Sequence, residues 1–204
     1  MFSLLPPICA GVYRIRILPH ELKFFVLYLT FALTIAVIAN WFTRDQWTLI
    51  IINITTLIEY IFIMFIISSW QESQTIKRFM RILFWSYILF WIIAKLTFEP
   101  ISGLYSITLS ISQVILALSA GYTLFVVIGN HTQPLTRHQL FWMLIAFILN
   151  YTGTLIPTAL GGVFFTQPGE ALILLYSINW VLVIFSNILF TIGILCPPIR
   201  QSLS

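Results

Sequence analysis

The sequence predicts an all-α fold, a polytopic transmembrane helical bundle, and three observations carry that expectation. Composition is the first: 60% of the 204 residues are hydrophobic and only 8% are charged, against about a quarter charged in ordinary soluble domains. The second is surface: ten Lys or Arg and six Asp or Glu are too few to solvate a 23.5 kDa exterior, so most of it must face lipid. The third is spacing. Six apolar stretches, at 24–42, 47–69, 79–98, 104–129, 139–165 and 171–195, each approach or exceed the roughly 20 residues that cross a hydrocarbon core at about 1.5 Å per residue. One integral membrane domain over 1–204 is expected.

Phe2 to Tyr13 is apolar for about twelve residues before Arg14 and contains the Pro6-Pro7 pair. It reads as a short first span over 2–19, with Arg14 and Arg16 reaching the headgroups, or as a half-inserted segment. The span is the favoured expectation and makes seven helices, the first one short; the alternative makes six plus the half-inserted piece. Polar punctuations separate the six longer stretches: Thr43 to Gln46, Gln71 to Arg78, Glu99 to Gly103, Asn130 to His138, and Thr166 to Glu170. Connections this short make consecutive helices antiparallel neighbours. Arg81 lies one turn inside its stretch and Lys95 near the far end of the same one, and both are expected to snorkel. Trp41, Trp47, Trp70 and Trp142 sit at boundaries, where amphipathic indoles collect.

Basic residues divide unevenly. Arg14, Arg16, Lys23, Lys77, Arg78, Arg81, Arg137 and Arg200 fall on one side of the bilayer, Arg44 and Lys95 on the other. The positive-inside bias then places the C-terminus in the cytoplasm, and the cell inner membrane is the expected location. No basic residue precedes the first apolar stretch and no small-x-small pattern follows it, so a cleaved signal peptide is not expected.

The net charge of +4 carries no basic run interleaved with aromatics, so no nucleic-acid partner is expected. His-Glu-x-x-His, Gly-x-Ser-x-Gly and phosphate-cradling glycine loops are absent from the sequence, which removes the zinc-protease, serine-hydrolase and nucleotide-driven-pump readings. Cys9 and Cys196 lie at opposite ends of the chain, without a disulfide framework or a metal pair. His20, His131 and His138 have no diagnostic zinc spacing. No metal, no cofactor and no catalytic residue is assigned, and the balance leans away from an enzyme.

What stands out is polarity inside the apolar stretches. Glu59 falls near the middle of 47–69, where a carboxylate costs roughly 2.5 to 3.5 kcal/mol on insertion scales, so it must face protein or water. Asn53, Thr56 and Tyr60 share a helical stripe with Glu59 at its edge. In the next-but-one stretch Ser106, Ser110, Gln113, Ala117 and Gly121 draw a small and polar strip that suits close helix packing, with Gln113 able to pair with Glu59 or a bound polar group. Asn150, Thr154, Pro157 and Gly161 follow one face beside Tyr151. Pro157 removes a backbone hydrogen bond and Gly161-Gly162 weaken the helix after it, so a kink or hinge is expected there. Tyr176, Asn179, Ser186 and Asn187 mark the last stretch. Counting about 1.5 Å per residue puts Asn53, Asn179, Gln113, Glu59 and Asn150 in one layer from the centre outward. The expected ligand-binding set is Glu59, Gln113, Asn150, Tyr151, Asn179 and Asn53, converging on a polar pocket in the outer half.

Pro7, Gly11, Tyr13 and Arg14, then Leu18 to Lys23 (Leu-Pro-His-Glu-Leu-Lys), then Leu57 to Tyr60 (Leu-Ile-Glu-Tyr) together resemble an uncharacterised family of small polytopic membrane proteins common in Bacteroidetes. The resemblance covers the first third of the chain. It implies a span before Arg14 and brings no catalytic residue or ligand. Where such relatives have a Glu in the fourth long stretch, this chain has Gln113.

Function narrows to three classes. A small-ligand sensor or receptor-like signalling module would bind a small polar solute in the outer pocket and report it to a cytoplasmic or membrane protein partner through the basic loops. A small secondary transporter or channel would gate at Pro157 and the two glycines, and at this size would work as a homo-oligomer. A lipid-modifying enzyme is third. The lipid bilayer is a partner in every case.

Overall fold

A computed structural model describes residues 2–41, 46–101, 107–130, 135–164 and 170–197. Its elements are helices: α1 (Leu5–Tyr13), α2 (His20–Trp41), α3 (Gln46–Ser69), α4 (Gln74–Thr97), α5 (Ile107–Asn130), α6 (Gln139–Phe164) and α7 (Glu170–Leu195), with single 3-10 turns at Phe2–Leu4 and Leu135–Arg137. Six of the seven are long and apolar enough to cross a membrane. The chain is a multi-pass helical membrane protein, and helices are the only elements among the described residues, as expected where backbone groups in hydrocarbon must be satisfied within their own segment. Prolines stand at helix starts, where a missing N–H costs nothing: Pro6 and Pro7 open α1, and the Pro19 carbonyl accepts from the amides of Leu22 and Lys23 as α2 begins. Pro157 differs in lying inside a helix, α6, which continues through it and through Gly161 and Gly162.

The first of the seven expected helices is formed and is short. The nine residues of α1 reach about 14 Å, half of a roughly 30 Å core, and the chain turns at Arg14. Asn187 Nδ2 donates to Ser3 Oγ at 3.1 Å, while the Arg14 guanidinium donates to the carbonyls of Ile194 and Cys196, both at 2.9 Å. Asn187 lies about 12 Å before the end of α7 at 1.5 Å per residue, so α1 runs beside only that half of α7. Arg14 explains the early stop: its charge belongs at the membrane boundary, where it caps the last carbonyls of α7. Burial pushes the thiol of nearby Cys196 up, an effect Arg14 offsets in part, which leaves it a poor nucleophile at neutral pH.

Helices α1, α2, α3, α5, α6 and α7 close a ring, each packing on the next and α7 returning to α1, with α4 outside against α3 and α5. At the α1–α2 crossing a side chain on Gly11 would run into Val26, so glycine sets that approach. The half of the ring toward Arg14 is filled by aromatics. Phe147 packs against Phe25, Phe190 and Trp70 with centroids 5.4, 5.0 and 6.2 Å apart, and Phe25 and Phe147 are each 1% exposed. Outside, α4 turns Phe79, Ile82, Trp85, Leu89, Ile93 and Leu96 outward at spacings of three and four, a stripe suited to acyl chains.

Lys95 does not snorkel. Its ammonium donates to Glu99 Oε1 at 2.7 Å and to Asn53 Oδ1 at 2.8 Å, with the two charged side chains only 5% and 7% exposed. Glu99 also accepts from the Thr108 amide and hydroxyl, each at 3.2 Å, and Asn53 Nδ2 donates to the Ile101 carbonyl at 2.9 Å. A carboxylate four residues away, on the same helical face, wins over headgroups a longer reach would be needed to find. The cluster joins α3, α4 and α5 at the end remote from Arg14.

Removing one partner should cost more than removing both. Glu99→Ala, which strands the ammonium, is expected to destabilise by about 3 kcal/mol, whereas Lys95→Met with Glu99→Leu should recover much of the loss; unfolding of the two variants in mild detergent measures the difference.

Candidate functional site

Four helices leave a partly enclosed cavity of about 360 Å3 in the half of the bundle away from Arg14. Its walls follow from helical spacing. From α3 come Thr56 and Glu59, three residues apart on one face; from α6, Asn150, Thr154, Pro157 and Thr158 with Tyr151; from α7, Tyr176 and Asn179; from α5, Leu109, Ser112, Gln113 and Leu116. Antiparallel packing puts the first halves of α5 and α7 against the second half of α6, which is why residues far apart in sequence share one depth.

Glu59 accepts a hydrogen bond from the Tyr151 hydroxyl at 3.0 Å, and the Tyr28 hydroxyl of α2 faces the same carboxyl group. Tyr151 is held by stacking on Phe147, with centroids 6.2 Å apart and planes 13° from parallel. The carboxyl therefore stands where the polar cavity meets the aromatic half. Across from it, Thr158 donates to Gln113 Oε1 at 2.7 Å, which fixes the Gln113 amide between α5 and α6. Asn179 Oδ1 is buried and has no hydrogen-bond partner among the described residues. Among the described residues no Lys, Arg or His lines the cavity, so Glu59 is its one ionisable acid and nothing in the wall neutralises it.

Of the six residues expected to converge, Glu59, Gln113, Asn150, Tyr151 and Asn179 line this cavity, and Asn53 does not. Six residues separate Asn53 from Glu59, and six steps of 100° put the two on different faces of α3; Asn53 turns to α4 and joins Lys95 and Glu99. Gln113 does not pair with Glu59. Its partner is Thr158, one turn beyond Thr154 on the α6 face already read from the sequence. Ser112, Thr158 and Tyr28 were missed, and for Tyr28 no sequence signal exists, because only the packing of α2 on α3 brings it to Glu59. The strip from Ser110 to Gly121 is not a close-packing seam at its far end, where a side chain on Gly121 would meet open space. Pro157 lies in the cavity wall, while the surroundings of Gly161 and Gly162 are outside the described residues. No group of three metal-ligating side chains occurs among the described residues, and His131 lies outside them.

No family model, no curated protein and no solved structure matches the chain. The functional reading rests on the cavity alone.

If the cavity admits water, a thiol on its wall reacts and one on the lipid face of the same helix does not. On a background with Cys9 and Cys196 replaced by Ser, Thr154→Cys is expected to be modified by a charged, membrane-impermeant thiol reagent, and Ile156→Cys, on an outward-facing position, to be spared; the labelled mass of each variant reads the outcome.

Proposed function

We propose that this membrane protein is a small-ligand sensor or receptor-like module that binds a polar solute in the cavity between α3, α5, α6 and α7. The observation that carries the reading is the buried Asn179 Oδ1 without a partner among the described residues, in a cavity also lined by a carboxyl and two further amides. Hydrocarbon penalises an unmatched polar group, so one kept beside polar neighbours and free volume is retained where a solute completes it. Sensing fits better than passage because the aromatic packing of Phe25, Phe147 and Phe190 closes the ring beneath Tyr151. Occupancy would act on α6 and α7, which form two walls and pack along each other, and through α7 on the carbonyls held by Arg14. With the basic end in the cytoplasm and the protein in the inner membrane, a ligand from outside would be reported to a partner at that end. Transport is the second reading, favoured by the placement of Pro157 in the wall; it requires the aromatic half to open.

The purified protein should gain thermal stability in a fractionated extract of small polar solutes, by mass action on the folded state, and Asn179→Leu should lose that gain without losing its fold. Proteoliposomes should not accumulate the same solute. Accumulation that Glu59→Gln abolishes would establish transport instead, and no stabilisation together with an unreactive Thr154→Cys would remove the ligand-binding reading.

A further inference from the structure

We infer that the solute bound in this cavity is a small organic cation carrying a protonated amine, an inference that rests on the ligand-binding reading above. The argument is an account of protons. Four hydroxyls line the cavity on Thr and Ser, and all four have spent their single proton on the protein: Thr56 on the Asn53 carbonyl at 2.8 Å, Ser112 on the Leu109 carbonyl at 2.7 Å, Thr154 on the Asn150 carbonyl at 2.8 Å and Thr158 on Gln113 Oε1 at 2.7 Å. Tyr151 has spent its own on Glu59. These groups turn lone pairs, not protons, toward a solute. Asn179 Oδ1 adds an unpartnered acceptor, and Glu59 adds a carboxyl group with acceptor positions beyond those met by Tyr151 and Tyr28.

The hydroxyls and carboxyl of the wall therefore offer acceptors, and its one acidic side chain among the described residues is one that a bound cation would hold as the carboxylate, with no cationic side chain beside it. Lys95, on the neighbouring helix, is committed to Glu99 and Asn53. An anion could accept from the amide N–H groups of Gln113, Asn150 and Asn179 and from the Tyr176 hydroxyl, but it would meet the acid of Glu59 with no positive charge on the wall to offset it. A neutral polyol would satisfy the acceptors but leave the charge of Glu59 unmatched. An ammonium group does both, since it carries three donors and a positive charge. Size bounds the rest of the molecule: 360 Å3 holds about a dozen water volumes at roughly 30 Å3 each. Leu109, Leu116 and Pro157 give a short carbon body somewhere apolar to lie.

A size-matched trio tests the charge. Ethanolammonium, ethylene glycol and glycolate are titrated into the full-length protein in a neutral maltoside detergent, with thermal stability as the readout. Ethanolammonium should bind about tenfold or more tightly than ethylene glycol, the scale of one charge-assisted hydrogen bond, and glycolate should have no effect. Glu59→Gln should bring the amine down to the level of the diol. Should that variant fold poorly, Thr56→Lys places a tethered ammonium one turn from Glu59 and should abolish the ethanolammonium shift in a stable protein. Equal binding of amine and diol to the unmodified protein, an amine shift that survives Glu59→Gln, or an extract solute that binds and carries no ammonium would each overturn the cationic assignment and leave the cavity as a ligand site. Binding by no solute at all would instead remove the ligand-binding reading, and the present inference with it.

Discussion

A polar group inside hydrocarbon has no water to fall back on, and the rest of this bundle follows from that constraint. Apolar contact between helices gives little net association in lipid, because acyl chains are as apolar as leucine, so packing and internal polar matching decide which faces meet. Most hydroxyls in the spans are matched locally. Thr30, Thr55, Thr97, Thr123, Thr152 and Thr191 each donate to the carbonyl four residues back, a bond that needs no neighbouring helix. Longer polar side chains cannot be satisfied that way, and these join distant parts of the chain: Gln71 to Thr123, Asn187 to Ser3, Arg14 to the end of α7.

Glu99, just beyond the end of α4, and Glu59, within α3, are treated in opposite ways, and the contrast locates the site. Glu99 is closed, with a lysine, an amide N–H and a threonine hydroxyl on its two oxygens. Nothing further is needed there, and its role is to fasten α4 to α3 and α5. Glu59 has neutral phenols beside it and a cavity in front. A bundle that needed only a stable interhelical contact at this depth could have used a glutamine, which avoids the cost of charge. Retaining an acid beside free volume is the arrangement expected of a group that meets a solute.

The fold was legible because hydrocarbon thickness writes itself as segment length: α2 to α7 all follow from runs of apolar residues, and the short polar links made antiparallel neighbours of them. Most of the cavity wall was legible too, since Asn150, Thr154 and Pro157 recur at helical spacing and intramembrane amides are costly enough to stand out. What escaped has physical causes. The extent of α1 depends on Arg14 finding the carbonyls of α7, some 180 residues away, which no local pattern encodes. Lys95 looked like a residue reaching for headgroups because its stem is long, although Glu99 at the next turn was the nearer partner. Asn53 shared the depth of the site but not its face, and depth was weighted above rotation about the helix axis.

Half-length α1 has a consequence for how the two ends communicate. Because it runs beside only the Arg14 half of α7, up to the level of Asn187, its contacts stabilise the closed aromatic half of the ring and none of them reaches Tyr176 or Asn179. The cavity half of α7 is thus held chiefly by α6, across Gly153 and Leu182, where glycine permits close approach. A solute that spreads or draws together α6 and α7 at the cavity works against one helix interface, while the other half of α7 is anchored by α1, by Phe190 against Phe25 and Phe147 and by the Arg14 clamp. Such an asymmetry lets α7 tilt about its anchored half instead of translating. The carbonyls bound by Arg14 are then the place where a change at the cavity would be felt at the opposite boundary.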